Sequence, residues 1–168
     1  CEVIYLERTK NISSTMVRNR KNPIKRIGVV GTGRIADRFV PEAKYVSGVI
    51  IQGAYNPNRY HAEKFAQKHE LEFYSSDFED FLDKVDAVYI ASPHETHSDY
   101  TERALREGKH VLCEKPMSFS GKEAEKLFQM ANDRGCVLME AIKTAYCPGF
   151  AQLISIAKSG AIGQIRDV

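Results

Sequence analysis

Between Ile24 and Met139, short apolar runs free of charge alternate with longer amphipathic segments, and few folds accept that rhythm. Ile27-Gly28-Val29-Val30 predicts a first strand, Arg34 to Val46 a helix, and Val49 to Tyr55 a second strand. Strand, helix, strand is the unit from which parallel sheets are built. The alternation continues through a helix over Tyr60 to His69, a short strand at Glu72-Phe73-Tyr74, and a helix over Phe78 to Leu82 capped by Ser76 or Asp77. Val85 to Ala91 carries no charge after Asp86, as expected of a strand covered on both faces. A helix over Ser98 to Arg106 stops at Gly108, and His110 to Cys113 forms the next strand. A helix over Gly121 to Arg134 starts behind Ser120 and stops at Gly135, before a strand at Cys136 to Met139. The expected fold is α/β, a doubly wound, mostly parallel sheet.

The first strand runs into Gly31-Thr32-Gly33-Arg34-Ile35-Ala36. In Gly-x-Gly-x-x-Ala, the first glycine permits a tight turn and the second lets a pyrophosphate approach bare backbone. The third position needs only a small side chain, so that helix and strand can pack. Amides at the start of the helix then meet the phosphate charge. A strand before the turn and a helix after it raise the pattern above simple punctuation. A methyltransferase turn of this type ordinarily follows an acidic residue, which Ile27 to Val30 lacks.

For an NAD site, Asp or Glu is expected at the end of the second strand to hold the ribose hydroxyls. This chain has Asn56 there, within Tyr55-Asn56-Pro57-Asn58-Arg59. Without a carboxylate to repel a 2′-phosphate, and with Arg34 and Arg59 near in sequence, NAD or NADP is accepted and NADP slightly favoured. Asn56 and Pro57 equally suit a plain turn.

At the far end of the sheet, His110 to Cys113 empties into Glu114-Lys115-Pro116. A lysine where a buried strand meets a cleft can do acid/base work or stabilise a developing alkoxide. Otherwise it is a surface lysine following a strand. His94 and His97 lack a third ligand for a metal, and loop hydrogen bonding explains them better. Cys113 has no paired base and reads as core.

Three segments in this order resemble the Gfo/Idh/MocA oxidoreductases: Gly31 to Ala36, Val88-Tyr89-Ile90-Ala91-Ser92-Pro93-His94-Glu95-Thr96-His97, and Gly108 to Pro116. The likeness spans Ile24 to Val168. Met139-Glu140-Ala141 is similar to the branch containing dihydrodiol and xylose dehydrogenases. Lys158 to Ile165 resembles the family's passage into its C-terminal domain. The resemblance implies a Rossmann domain over 23–141, with 142–168 opening an α+β sheet domain that completes the substrate site and commonly forms the oligomer interface. It further implies hydride transfer between nicotinamide and a sugar, polyol or related cyclic alcohol or ketone.

By that likeness Lys115 is the catalytic residue. The cofactor set is Gly31, Thr32, Gly33, Arg34, Ile35, Asn56, Arg59, Ala91, Ser92, Pro93, His94, His97, Glu114, Lys115 and Pro116. The family's accompanying Asp and His fall beyond Val168. Lys143 and Tyr146 are either substrate contacts or linker residues.

The remaining sequence is less specific. Residues 1–22 lack helical periodicity and hold one strand-like run, Glu2 to Glu7, as an extension or a remnant of a preceding domain. They motivate an alternative reading, a non-catalytic nucleotide-binding module fused to or partnering another enzyme. Five cations and no acid lie between Arg18 and Arg26, read as a solvated linker, with phosphate or membrane-surface binding the other possibility. Elsewhere basic and acidic residues interleave at a net charge of +2, giving no nucleic-acid footprint. No run reaches the roughly 18 apolar residues of a membrane span. The four cysteines, Cys1, Cys113, Cys136 and Cys147, show no metal-ligand spacing and fit a reduced, cytoplasmic protein.

Overall fold

The computed structural model describes residues 24–164. Six strands, β1 (Arg26–Val30), β2 (Ile50–Tyr55), β3 (Phe73–Ser75), β4 (Ala87–Ile90), β5 (His110–Cys113) and β6 (Leu138–Glu140), form one sheet. The spatial order is β3-β2-β1-β4-β5-β6. Every pairing is parallel. The helices are α1 (Arg34–Ala43), α2 (Arg59–His69), α3 (Phe78–Asp83), α4 (His97–Arg106), α5 (Gly121–Asp133) and α6 (Pro148–Lys158). This is the expected doubly wound Rossmann sheet, parallel throughout.

Strand residues divide between two cores by the period of two. Val29, Ala54 and Tyr89 join Ala36, Val40 and Phe65 on one side of the sheet. Val30, Tyr55 and Ile90 join Phe78, Phe81, Leu105 and Leu127 on the other. Both faces are therefore covered near the centre, which is why these runs tolerate no charge.

From β1 the chain winds outward to β2 and β3, then returns to β4 on the other flank of β1 and winds the opposite way. The ends of β1 and β4 thus diverge into a crevice, the usual ligand position in such sheets. Asp86 fastens the opposite end of the same strand pair: its Oδ2 accepts from the backbone N–H of Arg26 at 2.8 Å and of Lys25 at 3.1 Å.

Several boundaries differ from the sequence reading. The first helix ends at Ala43 rather than Val46, because the N–H groups of Tyr45 and Val46 turn back to the carbonyls of Glu42 and Ala43. The last strand begins at Leu138 rather than Cys136. The Cys136 N–H closes α5 on Ala131, and the Val137 N–H is taken by Nδ1 of His110 at 2.9 Å instead of a ladder carbonyl. Asp77, rather than Ser76, caps α3 by accepting from the Asp80 N–H at 2.9 Å. The strand expected at Glu2 to Glu7, most of the basic stretch from Arg18 and the residues after Gln164 lie outside the described part. Gly163 and Gln164 are described and form no strand.

Candidate functional site

The glycine turn is held open by backbone bonds on both sides of β1. The Gly31 N–H donates to Tyr55 O at 2.9 Å, and the Ala91 N–H to Val30 O at 2.8 Å. Gly31 has φ +96°, and a Cβ there would lie 2.7 Å from the Ala91 carbonyl oxygen. Only glycine fits that turn. At Gly33 a Cβ would meet nothing within 4 Å. That position borders open space, as close approach by a phosphate requires. Ala36 is fully buried, seating α1 on the sheet.

A cleft of about 490 Å³ opens over this turn. Its walls bring together Gly31, Thr32, Gly33, Arg34, Ile35, Asn56, Ala91, Ser92 and Pro93 from the ends of β1, β2 and β4. Asn56 fixes its floor: Nδ2 donates to Thr32 Oγ1 at 2.8 Å, and Oδ1 accepts from the Asn58 N–H at 2.9 Å. The amide therefore ties the glycine turn to the start of α2. Asn58 caps that helix, accepting from the Tyr60 N–H at 3.0 Å. Its first turn carries His61 into the cleft, a lining residue that sequence reading missed. The signal was available: His61 stands three residues beyond the capping asparagine, on the end of α2 that faces the turn.

A second cavity, of about 670 Å³, lies on the α1 side of β4, β5 and β6. Lys115 and Glu114 line it, together with Lys143 and Tyr146. Ile35 borders both clefts, so they meet at the first turn of α1. Tyr89 donates to Glu114 Oε1 at 2.8 Å, and its ring stacks on Phe39 with centroids 3.7 Å apart. Burial first, then the bond and charge of Glu114, push the Tyr89 phenol well above its usual range and keep it a donor. Among the described residues no carboxylate forms an ion pair with Lys115.

Four expected cofactor contacts, Arg59, His94, His97 and Pro116, line neither cleft. Arg59 is exposed, outside the lining of either cleft, with its guanidinium 5.7 Å from the centroid of Tyr74. His94 is exposed, its ring 5.3 Å from that of His97. His97 is 0% exposed and lines neither cleft. Its Nδ1 lies 2.8 Å from Pro116 O and its Nε2 2.9 Å from Ser92 O. The reason is local: α4 begins at His97 and turns the ring inward beneath the loops. Pro116 follows a cis peptide bond from Lys115. Among the described residues no group of three or more His, Cys, Asp or Glu can hold a metal ion, and no helix is long and apolar enough to cross a membrane. Cys113 is buried, and that burial pushes its thiol up to about 12, which disfavours the thiolate.

The model of the oxidoreductase family with an NAD-binding Rossmann fold matches residues 25–142. A scyllo-inositol 2-dehydrogenase (NADP(+)) of Bacillus subtilis is 38% identical over 130 residues, covering 76% of this chain and 40% of the relative. A dTDP-3,4-didehydro-2,6-dideoxy-alpha-D-glucose 3-reductase of Actinomadura kijaniata is 37% identical over 150 residues, covering 87% and 44%. Among solved structures, a 3-ketoreductase from Actinomadura kijaniata in complex with NADP and TDP-benzene aligns with a TM-score of 0.78 at 35% identity, covering 86% of this chain and 45% of that one. The chain thus spans less than half the length of these relatives.

Proposed function

The chain belongs to the Gfo/Idh/MocA oxidoreductase family, and from that premise we propose that it is the cofactor-binding part of an NAD(P)-dependent oxidoreductase. Its substrate is a sugar, polyol or related cyclic alcohol or ketone, and NADP is the favoured cofactor. The observation that carries this reading is the meeting of two clefts at Ile35, one over the open face of Gly33 and the other lined by Lys115, which has no ion-pair partner among the described residues.

The cofactor fits the residues present. The free side of Gly33 gives room for a pyrophosphate, and the backbone N–H groups at the start of α1 point their partial charge toward it. Asn56, the Arg34 cation and the His61 ring border the end where the ribose 2′-position would lie, without a carboxylate among the residues lining that cleft to repel a phosphate. Ala91, Ser92 and Pro93 form the opposite wall. A bound nicotinamide supplies or accepts the hydride.

The residues of this chain handle the proton and the charge. Lys115 holds or releases a proton at the substrate oxygen and stabilises its negative charge during transfer. Glu114 is itself engaged by Tyr89. Lys143 and Tyr146 face the same cavity and would contact substrate from the start of the second domain that the family resemblance implies over 142–168. Such a domain would also carry the remaining substrate contacts and the subunit interface of a homo-oligomer. The relatives support a sugar-like substrate by their names, inositol and a deoxysugar nucleotide among them.

Fluorescence titration with NADPH and NADH tests the reading. We expect both to bind, NADPH about tenfold tighter, a difference of about 1.4 kcal/mol. Absence of binding by either at millimolar concentration would overturn it.

A further inference from the structure

The ladder between β4 and β5 ends at the pair Ile90 and Cys113, with one further bond from the Glu114 N–H to Ile90 O at 2.9 Å. Beyond it the two chains separate into the loops that make the site. One carries Ser92 and lines the cofactor cleft. The other carries Lys115 and lines the second cavity. His97 sits beneath both, its two ring nitrogens 2.9 Å from the Ser92 carbonyl oxygen and 2.8 Å from the Pro116 carbonyl oxygen. A carbonyl only accepts, so the ring hydrogen-bonds a loop through a nitrogen that carries hydrogen; a neutral ring carries one, and its other nitrogen rests against the second loop. The imidazole stands where the ladder would have continued.

We propose that His97 is a positioning residue, its imidazole tying the turn that carries Lys115 to the strand end that lines the cofactor cleft. Its consequence for hydride transfer rests on the function proposed above. Neighbouring ties do not replace it. Ser92 Oγ bonds within its own loop to Thr96 Oγ1 at 2.7 Å, and the Met117 N–H bonds outward to Glu140 Oε1 at 2.8 Å. Neither joins one loop to the other.

His97→Phe, of comparable shape but without donors, and His97→Gln, which keeps one, test the assignment. Hydrogen exchange at the Met117 amide reports the Lys115 turn, and that at Val40 reports α1. NADPH, and 2′-phospho-ADP-ribose as a probe without nicotinamide, report the two ends of the cofactor. In His97→Phe we expect Met117 to exchange about tenfold faster with Val40 unchanged, and NADPH to bind about tenfold weaker while the truncated probe stays within about twofold. His97→Gln should recover part of both losses. Unchanged exchange at Met117, or equal weakening of both ligands, would overturn the assignment. If His97→Phe does not fold, the same comparison on His97→Gln decides, with smaller but still selective changes expected. If the unmodified chain binds neither ligand, the cofactor reading fails, while exchange at Met117 still decides whether His97 ties the loops.

Discussion

Gly31 and Gly33 lie two positions apart and answer to different demands. Gly31 combines φ +96° with a Cβ position only 2.7 Å from the Ala91 carbonyl oxygen. Gly31→Ala should therefore lower unfolding stability by about 2–4 kcal/mol, measured by urea denaturation. Gly33 has extended backbone at φ −82° and ψ −177° and open space around it. Gly33→Ala should leave stability within about 0.5 kcal/mol yet weaken NADPH binding about tenfold or more, because the added methyl occupies the phosphate's approach. The cysteines divide as clearly. Among the described residues Cys147 is exposed, whereas Cys113 and Cys136 are buried. Brief alkylation of the native chain should modify Cys147 and spare the other two, and mass spectrometry of the peptides reads the result. At this scale the glycine pattern was legible because it is a backbone demand written in two letters. The loop hydrogen bonding of His97 was legible too, but not its partners, because they are carbonyls, which no side-chain identity announces.

At the scale of elements, the β2 end and the head of α2 act as one piece, joined through Asn56. Read along the sequence, Asn56 was the absence of a carboxylate; in the fold it is also the donor to Thr32 Oγ1. Asn56→Asp should cost that donor and place a negative charge beside Arg34 and His61. NADPH affinity should fall about tenfold or more while NADH affinity changes little, and fluorescence titration separates the two. Strand order, helix order and the position of both motifs were legible because period and punctuation act locally. The boundaries that moved did so for long-range reasons. His110 takes the Val137 N–H from 27 residues away, and no periodicity within Cys136 to Met139 contains that fact. Arg59 illustrates the same limit, since closeness in sequence to Asn56 did not bring its guanidinium into the cleft.

Across the whole molecule, the two opposed halves of the sheet meet at β1 and β4. Their C-terminal ends part to form the crevice, so cohesion must come from the other end. Asp86 supplies it, bonding the Arg26 guanidinium at 2.6 Å and 3.1 Å through Oδ1 and two backbone N–H groups through Oδ2. Burial alone would raise this carboxyl. The Arg26 side chain, the two backbone donors and the Arg26 charge outweigh it and hold the group down, from an ordinary 3.8 to about 2. A carboxyl depressed in the folded state binds fewer protons there than in the unfolded chain at mildly acid pH. Its contribution is therefore complete above the ordinary value and is lost as pH falls through the folded one. For this partly exposed pair that contribution is on the order of 1–2 kcal/mol after solvent screening. Urea denaturation between pH 7 and pH 2 should show the unmodified chain losing this increment below about pH 4. Asp86→Asn should be less stable at neutral pH by about that amount and show a shallower acid limb. Equal acid limbs in the two proteins would mean that other carboxylates, such as Asp37 with Lys68 and His69, carry the acid sensitivity. NADPH affinity at pH 7 should be little changed by Asp86→Asn, since the site lies at the other end of the strands.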